Sequence, residues 1–156
     1  MKVVTVRGEI SPDQLGRTLP HEHLLIDLRC AYREPEEASK KAIGKSSIVI
    51  SNLYDLRRDP YINEDALTIF DVDLAIKEVK YYRRAGGCSL VEMTLPGIGR
   101  DPSGIRAISE ATGLNIVMGS GFYTEASHPR YLYEMDSDQI AEMITRKLLR
   151  ALTIAG

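Results

Sequence analysis

The sequence predicts an α/β fold built of parallel βαβ units. Three observations lead there. From residue 71 onward, short apolar runs alternate with stretches of helical periodicity. Each switch is punctuated by glycine or proline, and the strand candidates are spaced widely enough for a crossover helix between them.

Residues 2–10 alternate apolar and polar side chains and predict a strand or small hairpin, followed by a turn from Ser11-Pro12-Asp13 to Gly16. Residues 18–27 predict the first buried strand. The charged stretch 28–63 has weak periodicity and predicts two short helices, near 36–44 and 47–57. It reads as an excursion above the strand, not a linker or a second domain.

Val72, Ala75, Ile76, Val79 and Tyr82 recur at helical spacing, with Asp71 as cap and Gly86-Gly87 as stop. Cys88 to Leu95 predicts the second strand, ended by Pro96-Gly97. Pro102 to Thr112 predicts a helix capped by Asp101 and closed by Gly113, with Ile105 and Ile108 inward. Leu114 to Gly119 predicts the third strand, leading into Ser120-Gly121-Phe122-Tyr123. After Asp136-Ser137-Asp138 a last helix puts Ile140, Ile144 and Leu148 on one stripe.

The 156 residues suit a single domain, 1–156, with a real core, and 44% hydrophobic against 27% charged residues is a soluble globular balance. A net charge of −2 with interspersed signs excludes a nucleic-acid footprint. No apolar run reaches the length of a membrane span. The N-terminus lacks an apolar signal region and reads as a strand. Cys30 and Cys88 are too few for a disulfide framework, so the expected compartment is the cytoplasm.

His21-Glu22-His23 is the motif that speaks most directly of chemistry. In an extended strand, side chains two apart share a face, so both imidazoles converge and can share one divalent metal. Glu22 then points to the opposite face and is a structural partner, not a base. On the residues alone, two packed, hydrogen-bonded histidines are an equal alternative. Side by side and buried, each would penalise protonation of the other, and a metal removes that conflict by holding both neutral.

Thr94 to Pro102 is glycine-rich but lacks any dinucleotide or phosphate-loop pattern, and reads as a tight βα connection with Arg100 in a surface salt bridge, the alternative being that Arg100 orients a substrate or a carboxylate behind the ligands. Phe122 and Tyr123 either wall a pocket or merely cover the sheet end. His128, before Pro129, reads as a loop residue. Cys88 reads as strand filler. No nucleophile elbow is present.

Thr18-Leu19-Pro20-His21-Glu22-His23-Leu24 resembles the metal-binding strand of the phosphotriesterase family, in the amidohydrolase superfamily. The likeness continues in order through Arg84-Ala85-Gly86-Gly87, Gly99-Arg100-Asp101, Gly119-Ser120-Gly121-Phe122-Tyr123 and His128-Pro129, spanning residues 3–149. The resemblance implies a TIM-type (β/α)8 barrel with a binuclear site, usually zinc, at its C-terminal mouth. It implies that His21 and His23 bind the more buried metal, and that Tyr123 matches an aromatic lining the leaving-group side of the pocket. The implied activity is hydrolysis of a small phosphotriester, lactone or related ester by metal-activated water.

Such a barrel takes about 250 residues, so this chain is expected to hold about three barrel strands after its N-terminal β-hairpin, with the barrel not closed. The tail 150–156 drifts from the family pattern. The bridging lysine or glutamate, the later histidines and the aspartate that the resemblance implies have no counterpart here. The expectation is a truncated portion of a metal-dependent hydrolase that self-associates through its open sheet edge. The alternative is a non-catalytic remnant or interaction protein that keeps the half-barrel. A small domain sensing metal through its histidine pair is a third reading.

Overall fold

A computed structural model describes residues 1–149; the tail 150–156, expected to drift from the family pattern, lies outside the described residues. The chain opens with β1 (Val3–Thr5) and β2 (Gly8–Ile10), an antiparallel hairpin that pairs Val3 with Ile10. β3 (Thr18–Glu22) and β4 (Ile26–Asp27) follow, then α1 (Ala38–Lys41), α2 (Leu53–Arg58) and β5 (Thr68–Ile69). The regular half comprises α3 (Val72–Arg84), β6 (Ser89–Glu92), α4 (Pro102–Thr112), β7 (Asn115–Met118) and α5 (Ser137–Leu149).

β3, β6 and β7 form a parallel sheet in that order, with Leu19 opposite Leu90 and Leu90 opposite Ile116. α3 and α4 cover one side of it. The core between them is built from Leu25, Ala75, Val79, Leu90, Ile105, Ile108, Leu114 and Ile116, joined by Val6 from the hairpin. Val6 N–H donates to Ile116 O at 2.9 Å, so the hairpin is anchored at the start of β7. That end of the sheet is thereby occupied, and the carboxyl ends, where α/β proteins carry their chemistry, are left for function.

The helix caps follow the sequence. Asp71 accepts from Leu74 N–H at 2.9 Å, and Asp101 accepts from the N–H groups of Ser103 and Gly104 at 3.0 Å each. Gly113 ends α4 in the left-handed region, at φ 71°.

Four expectations are corrected. The strand expected over 18–27 is two: β3 carries a register shift between Leu19 and Glu22, and β4 pairs antiparallel with β5. Pro20, which has no N–H to give a ladder, sits inside that shift. The helices expected at 36–44 and 47–57 shrink to α1 and α2. Buried Asn63 gives its side-chain N–H groups to the carbonyls of Ile43 and Ser46, and buried Asn52 donates to Ser47 O at 2.9 Å. These side chains satisfy backbone that a helix would otherwise have used.

On α5, Ile140 and Ile144 are half-buried but Leu148 is 57% exposed, so the expected stripe is only partly covered among the described residues. Among the described residues Arg100 makes no surface salt bridge. It is half-buried, and its Nη1 donates to Gly119 O at 2.8 Å and Thr94 O at 3.3 Å, joining the ends of β6 and β7.

Two glycines in the loop after β6 serve close packing. At Gly97, φ 91°, an added Cβ would lie 1.7 Å from Ser127 O; at Gly99, φ 87°, it would lie 2.8 Å from Asp27 N. Between them, Ile98 O accepts from Asp27 N–H at 2.9 Å and fixes the start of the excursion.

Candidate metal centre

β3 ends at Glu22, so His21 lies within the strand and His23 one residue past it. Their ring centroids are 5.4 Å apart with planes inclined at 64°. His21 is exposed and His23 half-buried. Met93 N–H donates to Glu22 O at 2.8 Å, which continues the β3–β6 pairing and brings Thr94 alongside His23. His23 Nδ1 lies 3.1 Å from Thr94 Oγ1.

Burial lowers the pKa of His23, the neighbouring His21 lowers it further, and Glu22 partly opposes both. The direction favours the neutral imidazole, which is the ligating form.

Glu92 and Thr94 are almost fully buried beside the pair, at 0% and 1% exposure. The Glu92 carboxyl accepts from Thr94 N–H at 3.1 Å and is in short contact with the Thr94 hydroxyl. The same hydroxyl lies 2.8 Å from Leu25 O. Burial raises the Glu92 pKa. Hydrogen bonds from Thr94 and from the Leu24 backbone, and the Arg100 charge, pull it partly back.

The spacing of the two imidazoles matches that of a pair sharing one divalent ion. Zinc–nitrogen bonds of about 2.0–2.1 Å at a tetrahedral angle put two imidazole centroids about 5 Å apart, close to the 5.4 Å separation of His21 and His23. Among the described residues no group of three or more His, Cys, Asp or Glu side chains converges on one point, so the pair is a partial set.

Tyr123 stands 53% exposed and lines a cavity of about 320 Å³ with Leu28, Ala31, Arg33, Tyr61 and Thr124. That lining does not include the histidines. His128 follows the short turn Glu125–Ser127, its Nε2 lies 3.2 Å from Tyr123 O, and its ring meets Phe122 edge-on with centroids 6.1 Å apart. It steadies the loop that carries Tyr123. Cys30 and Cys88 are both free thiols.

Sequence reasoning passed over Glu92 and Thr94. A signal was available: Glu92 is a carboxylate inside the otherwise uncharged run Ser89 to Leu95, and such a residue is almost never fully buried without a partner.

The model of the phosphotriesterase family matches residues 1–154. The chain belongs to the phosphotriesterase family. Its curated relatives include N-acetyltaurine hydrolases, from Xenopus tropicalis at 37% identity over 150 residues and from Homo sapiens at 38% over 149. These alignments take in 96% and 95% of the chain but 43% and 42% of the relatives, so the chain spans about two fifths of their length.

Among solved structures, a resiniferatoxin-binding protein from Rhodobacter sphaeroides superimposes with a TM-score of 0.93 at 40% identity, covering 99% of this chain and 43% of that one. An organophosphorus hydrolase from Deinococcus radiodurans gives 0.62 at 25% identity, covering all of this chain and 41% of its own. The phosphotriesterase-family fold is therefore present as its first two fifths, with the parallel sheet not closed into a barrel among the described residues.

Proposed function

We propose that this phosphotriesterase-family chain supplies the first two metal ligands, His21 and His23, of a zinc-dependent hydrolase acting on a small acyl compound. The 5.4 Å pairing of the two imidazoles, with His23 backed by Thr94, is the observation that carries the reading. A zinc ion at this position supplies Lewis acidity toward a carbonyl or phosphoryl oxygen and lowers the pKa of water. The chain's own part is to hold two imidazoles at the carboxyl end of β3, where substrate can approach.

An amide, ester or lactone is favoured over a phosphotriester. The chain is 37–38% identical to proteins named for hydrolysing an N-acetyl amide and 25% identical to the organophosphorus hydrolase. Tyr123, exposed on its cavity with Arg33 and Tyr61, is the proposed wall for the leaving group.

A catalytic zinc normally takes three protein ligands, so the reading requires more ligands than the histidine pair. β3 and β7 each pair on one side only among the described residues. We read both edges as seats for further strands of the barrel, with self-association through them as the competing expectation.

The test uses protein expressed from the full reading frame. Zinc content is measured together with turnover of N-acetyltaurine, a lactone and paraoxon, in wild type and His21→Ala. Stoichiometric zinc with acyl hydrolysis, both lost in the variant, supports the proposal. Absence of metal and of turnover favours a non-catalytic remnant, the reading consistent with no group of three or more ligand side chains among the described residues.

A further inference from the structure

Thr94 Oγ1 has three polar neighbours and one proton. Leu25 O, at 2.8 Å, can only accept and so takes that proton. Nothing is then left for the hydroxyl to donate to His23 Nδ1, 3.1 Å away. With the hydroxyl proton spent on Leu25 O, the imidazole is left as the donor, with its proton on Nδ1 and the lone pair on Nε2. Were the hydroxyl to donate to Glu92 instead, with which it is in short contact, the conclusion for Nδ1 would be the same.

The hydroxyl cannot swing away, because Thr94 is 1% exposed and its own N–H is held by the Glu92 carboxyl at 3.1 Å.

We infer that Thr94 is a positioning residue whose hydroxyl, braced by Glu92 and Leu25 O, locks His23 into the Nδ1–H tautomer and presents Nε2 as its ligating nitrogen. The inference rests on the metal reading of His21 and His23 for its purpose, but the tautomer is a property of the chain alone. Outer contacts of this kind fix ligand orientation, and their loss typically costs about 10–100-fold in metal affinity. Thr94 touches neither metal nor substrate in this role.

The test has two readouts on the full protein, with folding of each variant checked by circular dichroism. The first is long-range ¹H–¹⁵N NMR of the metal-free protein at a pH where His23 is neutral. The second is zinc affinity by chelator competition. Wild type and Thr94→Ser are expected to show the Nδ1–H tautomer at His23, and Thr94→Val a shift toward Nε2–H with at least about tenfold weaker zinc binding.

An Nε2–H tautomer in wild type overturns the inference. So does a Thr94→Val protein with unchanged tautomer and affinity, or a Thr94→Ser protein as impaired as the valine variant. An Nδ1–H wild type that depends on Thr94 yet binds no zinc overturns the metal reading while upholding the tautomer lock, so the two fail separately.

Discussion

Arg100 Nη1 donates to the Gly119 carbonyl at 2.8 Å, reaching from the loop after β6 to the residue just past β7. With its second bond to Thr94 O at 3.3 Å, one guanidinium fixes the carboxyl ends of two neighbouring strands. Replacing it with methionine leaves both carbonyls without this partner and is expected to cost about 1–3 kcal/mol. Lysine, a point donor without the planar fork, is expected to recover only part of that. Urea denaturation measures the loss, and amide exchange at Ser120 to Tyr123 is expected to speed up in both variants.

Glu92 gives a pH dependence with a definite sign. Burial first of all raises its pKa above the ordinary 4.5, against the pull of Thr94, Leu24 and Arg100. Between the ordinary value and the raised one, the native state therefore holds a proton that the unfolded chain releases. Its contribution to stability is full below the unfolded value and is lost as pH rises through the raised native one. Glu92→Gln has no such proton to lose. Denaturation from pH 4.5 upward is expected to show wild type losing stability relative to the glutamine variant; parallel curves would contradict this.

Two glycines with positive φ should respond unequally to alanine. Gly113, φ 71°, has nothing within 4 Å of an added Cβ, so Gly113→Ala is expected to cost only the left-handed strain of about 1–2 kcal/mol. At Gly97, φ 91°, the same carbon would lie 1.7 Å from Ser127 O, a backbone atom. Gly97→Ala is expected to cost at least about 1–3 kcal/mol more, because the two loops must separate. Thermal unfolding of the two variants side by side checks the difference.

Tyr123 is more than half exposed, so Tyr123→Ala is expected to change stability by no more than about 0.5 kcal/mol. If it walls the substrate cavity, KM for an acyl substrate rises while zinc content stays unchanged. Steady-state kinetics with a metal assay separates this from a structural effect.

The α3–β6–α4–β7 run was legible because each boundary is set locally. Asp71 and Asp101 cap their helices through side-chain oxygens, and Gly113 adopts the left-handed stop that its type favours. What escaped is what distant residues impose. The two-residue strands β4 and β5 show no periodicity and exist because Ile26 meets Ile69 across the excursion. Asn52 and Asn63 replace helix with side-chain hydrogen bonds that no spacing rule announces. At the site, the two-residue spacing of His21 and His23 marked the pair as candidates, whereas Thr94 reaches His23 across 71 positions of sequence, by way of a strand pairing and a bulge.

The most direct measurement is zinc titration of the full protein against a chelator, in wild type and in His21→Ala and His23→Ala. Tight zinc binding in wild type, weakened in both variants, is the expected result. A wild type that binds no zinc, or variants that bind it equally well, would contradict the claim that the two imidazoles share an ion.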